Sequence, residues 1–265
     1  MHLSAVFATP KPVIGMLHVP ALPGSPRNEL EFPGILDWVL KDAAALAESG
    51  IDGCVVENFG DVPFYPGRVP THILTFMTLI AAEVKRRFGL PLGVNILRND
   101  AESAIAIAAA VDAEFIRVNI HSGARLTDQG LIEGKAHDTL RYRRFLNSKV
   151  KIFADVDSKH SAPVVVRDLK DEVDEVLSRG CADAVIVTGA ATGRQTSLDD
   201  LRQAKQAAGD APVLAGSGVE AQSVAEILSI ADGVIVGTSI KENAVTTNPI
   251  DVGRVRALMK AAGRR

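Results

Sequence analysis

Cysteine is scarce in this chain: Cys54 and Cys181 are the two in 265 residues. They lie far apart in apolar stretches, so we expect two reduced core thiols rather than a disulfide, a metal site or a nucleophile. Net charge is also small. Against 32 acidic side chains stand 29 Lys and Arg, a formal balance of −3, which gives no general pull toward nucleic acid or an anionic membrane. No stretch holds 18 consecutive apolar residues, so no transmembrane helix is expected. The opening MHLSAVFATPKP lacks a basic segment followed by a long apolar one and does not read as a signal peptide. These absences together describe a cytoplasmic protein with no nucleic-acid partner and no integral membrane segment.

Other missing features narrow the chemistry. No linker, shift of composition or low-complexity tract divides the chain, so residues 1–265 are read as a single domain. With 47% hydrophobic residues, that length can bury a large core. No P-loop lysine motif occurs, and neither a His-x-His nor a HExxH spacing. A metal could be assembled from His18, Glu57, Asp155, Asp157 and His160, but without such spacing the metal-free reading is preferred. No cofactor is expected.

What is present is a repeated alternation. Eight short apolar runs occur: Val13–Leu17, Gly53–Val56, Pro91–Ile96, Phe115–Asn119, Lys151–Val156, Ala184–Val187, Pro212–Ala215 and Gly233–Val236. Each precedes a segment of helical periodicity, at Leu36–Ser49, Thr71–Phe88, Ala101–Val111, Thr139–Asn147, Val164–Arg179, Leu198–Ala208, Glu220–Ser229 and Ile250–Ala261. Unbroken apolar strands suit a parallel sheet covered on both faces. Eight such units in this length favour closure into a (β/α)8 TIM barrel over an open sheet. Loops leaving the strand C-termini are long or rich in Gly, Pro and polar residues. Those entering the next strand are short. A barrel places its chemistry on the face with the long loops.

The last two strand ends read Gly216-Ser217-Gly218 and Gly237-Thr238-Ser239. Glycine admits close backbone approach and small hydroxyls add donors, which is the pattern of a barrel phosphate site. The bland alternative is tight turns only. Gly216 to Ala221 also fits the dinucleotide pattern G-x-G-x-x-A, but the acid that should end the next strand is replaced by Gly237, and Asp232 precedes the strand instead.

Parity sorts the remaining candidates, because alternate strand residues face opposite sides. Glu57, Asn95, Asn119 and Asp155 are expected to ring the mouth, with Arg117 deeper. Asp155 is the leading acid/base candidate; the alternative is an ion pair with Arg117 that fills the interior. Glu57 is the second carboxylate, or a loop cap. His18 is a proton shuttle or a satisfied rim residue. Asn95 and Asn119 orient substrate or satisfy strand-end backbone. Lys159 and His160 bind an anion or lie in solvent. No lysine falls in strand six, which disfavours Schiff-base chemistry. The polar stretch Thr127–Ala136 is a lid, a surface loop or a contact in a homo-oligomer.

Several stretches resemble the BtpA family: IGMLHVPALPGSPR, ENFGDVPF, LGVNILRND, TDQGLIEGKA, FADVDSKHSAPV, VTGAATG, AGSGV and GTSIK. The resemblance implies a (β/α)8 barrel and, in cyanobacteria, a link to photosystem I biogenesis at the thylakoid. Outside phototrophs it implies sugar or nucleoside metabolism. The expectation is an isomerase or lyase acting on a small phosphorylated metabolite. The rival is a noncatalytic assembly factor.

Overall fold

The computed structural model describes residues 1–158, 160–189 and 196–264. Eight strands close into a parallel barrel: β1 (Val13–His18), β2 (Gly53–Glu57), β3 (Leu92–Asn95), β4 (Phe115–Val118), β7 (Lys151–Val156), β9 (Ala184–Val187), β10 (Val213–Ala215) and β11 (Gly233–Val236). Going round the ring, the order is β1, β2, β3, β4, β7, β9, β10, β11 and back to β1. Three short strands, β5 (Ala124–Thr127), β6 (Gly130–Glu133) and β8 (Ser161–Pro163), form a separate antiparallel sheet. Helices α1 (Phe32–Glu48), α2 (Thr71–Phe88), α3 (Ala101–Ala110), α4 (Ala136–Phe145), α5 (Leu169–Asp174), α6 (Leu198–Ala208), α7 (Val224–Ile230) and α8 (Val252–Ala261) follow the barrel strands.

The strands are apolar throughout because both faces are covered. Outward residues such as Val13, Leu17, Val56, Ile116 and Val185 pack beneath the helices. Inward residues form a second core of Ile14, Met16, Val55, Phe115, Phe153 and Ile186. Within it the rings of Phe115 and Phe153 stack at 4.5 Å, and Phe7 closes the lower end edge-on to Phe115 at 5.7 Å.

A repeated acid fixes the strand starts. The residue just before every second barrel strand accepts a backbone N–H from the strand alongside. Asp52 takes Val13 at 2.8 Å, Glu114 takes Leu92 at 2.7 Å, Asp183 takes Ile152 at 2.9 Å and Asp232 takes Val213 at 2.8 Å. A basic side chain neutralises three of them closely: Lys85 on Glu114, Arg143 on Asp183 and Lys205 on Asp232. Asp232 therefore precedes its strand as a staple at the bottom of the barrel. Across the top, a buried pair between Lys241 and Asp42 ties the segment after β11 to α1, and Asp42 also accepts the Ile250 amide.

Several expectations are corrected. The helix expected from Val164 starts at Leu169 and continues as one wider turn over Glu175–Arg179, because β8 and an exposed Val164–Val166 segment occupy its first turns. The Thr127–Ala136 stretch is not a loop: most of it belongs to the β5–β6 hairpin and the start of α4. The helix expected at Glu220 starts at Val224. Cys54 is buried, and burial pushes its thiol up to about 12, but Cys181 is exposed rather than in the core. Gly89 does cap α2, with φ +62.

Candidate active site

A cavity of about 440 Å³ opens at the C-terminal ends of the barrel strands. Its floor is polar and comes from the strand ends. Arg117 and Asp155, neighbours on β4 and β7, form a fork-to-fork pair, Nε to Oδ1 and Nη2 to Oδ2 both at 2.9 Å. Asn119 Nδ2 donates to the same Oδ2 at 3.0 Å. Both oxygens of Asp155 are thus engaged, which favours the ion-pair reading over the acid/base one. Burial pulls the Arg117 pKa down, but Asp155 and Glu57 outweigh it and the net shift is upward.

Asn95 lies behind this layer rather than in the cavity wall. Its amide donates to the Arg117 carbonyl and to Asn119 Oδ1, each at 3.1 Å. That contact leaves the Asn119 amide hydrogens facing Asp155. Asn95 therefore sets the orientation of a cavity residue and does not itself reach the cavity.

His18 and Glu57 stand side by side in register at the ends of β1 and β2, with Nε2 3.7 Å from Oε1. The imidazole rests against Phe59, centroids 4.6 Å apart. On its other side is Gly237, where a Cβ would fall 2.9 Å from His18 Cε1. The absence of a side chain at Gly237 is thus what gives the imidazole its place.

The far wall is made by the two glycine-rich turns. A Cβ at Gly216 would lie 2.4 Å from Ile186 Cγ2, so that glycine answers to packing as well as to any ligand. Gly218 has φ +63. The Ser239 hydroxyl donates to the Val219 carbonyl at 2.6 Å, joining the two turns, and the Thr238 and Thr246 hydroxyls bond each other at 2.9 Å. Thr196 braces the first turn by donating to the Ser217 carbonyl at 3.0 Å. The amides of Gly218, Thr238 and Ser239 have no acceptor among the described residues, and all three residues line the cavity.

Of the fourteen catalytic and binding candidates read from the sequence, Asn95 is outside the cavity lining and Lys159 lies outside the described residues; Asp157, named for a possible metal, is also outside the lining. The other twelve line it: His18, Glu57, Arg117, Asn119, Asp155, His160, Gly216, Ser217, Gly218, Gly237, Thr238 and Ser239. Sequence reasoning missed Arg98, Asp128, Phe59 and Phe64. Arg98 follows β3 and is buried; burial lowers its pKa, against the pull of Asp155, Asp128 and Glu57. Asp128 is carried in by the turn of the β5–β6 hairpin, which Arg125 clamps down through Asp157 at 2.6 Å and Glu172 at 3.3 Å. The signal for Arg98 was present, a lone cation just past an apolar run in LGVNILRND. Among the described residues, no group of three or more His, Cys, Asp or Glu is placed to hold a metal, and no helix is long and apolar enough to cross a membrane.

The BtpA family pattern matches residues 9–264. The chain belongs to the BtpA family. The photosystem I biogenesis protein BtpA of Synechocystis is 44% identical over 98% of this chain and 91% of its own length. An uncharacterized protein of Methanocaldococcus jannaschii is 42% identical over 96% of each chain. Among solved structures, N-(5'-phosphoribosyl)anthranilate isomerase from Pyrococcus furiosus is similar with a TM-score of 0.58, 13% identity and coverage of 96% and 98%. Orotidine 5'-phosphate decarboxylase from Pyrococcus horikoshii gives 0.59, 15%, and coverage of 96% and 100%. At such identities these two neighbours speak for the fold alone, and they agree with the closed barrel.

Proposed function

We propose that this BtpA-family barrel is an enzyme of isomerase or lyase type acting on a small phosphorylated sugar- or nucleoside-like metabolite. One observation carries the reading: the cavity brings the Gly216–Gly218 and Gly237–Ser239 turns into the same enclosure as Glu57, His18, Arg117, Asn119 and Asp155. In the reading, the amides of Gly218, Thr238 and Ser239 take the phosphate. Glu57 moves a proton, with His18 beside it as partner. Arg117 and Asn119, held by Asp155, orient the reacting carbon and its oxygen. A carboxylate in this role contributes about 10²–10⁴ in rate.

The test is a calorimetric titration with ribose 5-phosphate and other sugar phosphates, repeated with Gly218→Asp. The reading expects saturable binding that the added carboxylate abolishes. Unchanged affinity in the variant removes the phosphate assignment.

A second reading, a noncatalytic assembly factor for photosystem I biogenesis, draws on the name of the Synechocystis relative and on one surface feature. Leu126, Leu131, Val164, Val165 and Val166 are exposed on and beside the three-stranded sheet. Under that reading Asp155→Asn has no consequence in a complementation assay. Under the enzyme reading it abolishes turnover by releasing Arg117 and Asn119, and because it also leaves the buried Arg117 charge unpaired, folding of the variant is checked by circular dichroism.

A further inference from the structure

The wall of the cavity facing the glycine-rich turns is neither polar nor loosely built. Counting round the ring from β10 through β9, β7 and β4 leads to β3, so the segment after β3 stands diametrically across the mouth from Gly216–Gly218. There Leu97 joins Phe59, Val62 and Phe64 of the β2–α2 segment to form an apolar face, with the Arg98 guanidinium at its edge. The two segments are locked together. Asn58 Oδ1 accepts the Leu97 amide at 2.7 Å, and the Arg98 amide donates to the Tyr65 carbonyl at 3.0 Å. Asp61, its carboxyl pushed up by burial, accepts the Leu22 amide at 2.8 Å and anchors the β1 loop behind. The apolar face is therefore formed before any ligand arrives.

We propose that the substrate is nucleoside-like rather than a bare sugar phosphate: a planar heterocycle sits against Phe64, Val62 and Leu97, its pentose lies over Glu57 and Asn119, and its phosphate reaches the turns at β10 and β11. This rests on the phosphate reading above and specifies its other end. A sugar phosphate would leave the apolar wall in contact with water and much of the cavity unfilled. A flat ring covers apolar side chains and stacks on an aromatic face. Its carbonyl or ring nitrogen acceptors meet the Arg98 guanidinium, a planar donor fork that also stacks.

The experiment compares dissociation constants for inorganic phosphate, ribose 5-phosphate and the 5'-monophosphates of uridine, cytidine, adenosine and guanosine. It uses the whole chain and its Phe64→Ala and Phe64→Tyr variants, with circular dichroism as the check on folding. Phe64 is half-buried in a loop, so the fold should tolerate its truncation. At least one nucleotide is expected to bind tenfold or more tighter than ribose 5-phosphate. Phe64→Ala should cancel that advantage while changing the ribose 5-phosphate constant by less than twofold, and Phe64→Tyr should keep it. If ribose 5-phosphate binds as tightly as every nucleotide, or if Phe64→Ala leaves a preference intact, the nucleoside proposal falls and the phosphate reading stands. If no phosphate compound binds, the phosphate reading falls and takes this proposal with it.

Discussion

Arg117 and Asp155 face each other across β4 and β7 as a bidentate pair, with the Asp155 side chain fully excluded from solvent and Asn119 on its outer oxygen. A pair so placed is held at the cavity floor by geometry rather than by net energy, because desolvation offsets most of the Coulombic gain. Arg117→Met should therefore destabilise the fold by about 3–5 kcal/mol, since it leaves a buried carboxylate unpaired. The double variant Arg117→Met with Asp155→Leu should recover most of that loss. Urea denaturation of the cycle measures both, and equal instability of the single and double variants would contradict this account of the pair.

Gly237→Ala separates site geometry from stability. The new Cβ meets His18 Cε1 at 2.9 Å and Met16 Cβ at 3.6 Å, so the imidazole must move to make room. A displacement of about 1 Å near the chemistry can cost on the order of 10²-fold in rate. The thermal midpoint should shift by only a few degrees, as befits overpacking by one methyl of about 1–3 kcal/mol. Turnover, once a substrate is in hand, should fall far more than stability does.

His121 makes stability depend on pH. It is buried, with Nε2 2.8 Å from the Gly180 carbonyl, and burial holds its pKa below the usual histidine value. A ring nitrogen facing a carbonyl must carry the proton, so Nε2–H donates. In the unfolded chain histidine titrates near ~6.5. As pH falls below that value the unfolded state binds a proton that the native state refuses, and native stability drops until the depressed native pKa is passed. The contribution is complete above pH ~6.5. Urea unfolding at pH 7.5 and pH 5 should show this loss, and His121→Gln should reduce the difference between the two conditions.

Much of the barrel could be read from the residues because its causes are local. Eight apolar runs coincide with the eight barrel strands, and parity along β4 and β7 put Arg117, Asn119 and Asp155 on the inner face where the structure has them. The hairpin at Ala124–Glu133 was not legible. Its strands are short and half-polar, and β5 also pairs with β8 well downstream, so no periodicity within either segment shows the partnership. The same remoteness hid the apolar wall: Phe59, Phe64 and Leu97 belong to two loops, which the folded chain joins through Asn58 to Leu97 and through the Arg98 amide to the Tyr65 carbonyl. The acid before each second strand was visible in IDGCVV, DAEFI, ADAVIV and ADGVIV. Its meaning required knowing which strand lies alongside, which closure of the ring decides. Asn95 illustrates the limit of parity, which gives the side of the sheet but not the depth. It shares its face with Glu57 and Asp155 yet ends one layer behind the cavity.

The proposed function needs a phosphate at the β10 and β11 turns, in one enclosure with Glu57 and His18. The most direct measurement is a crystal of this chain soaked with ribose 5-phosphate and solved to high resolution. Phosphate density is expected within hydrogen-bond distance of the Gly218 and Thr238 amides, with the sugar directed toward Glu57. Phosphate density elsewhere on the molecule, with those amides contacting solvent alone, would contradict it.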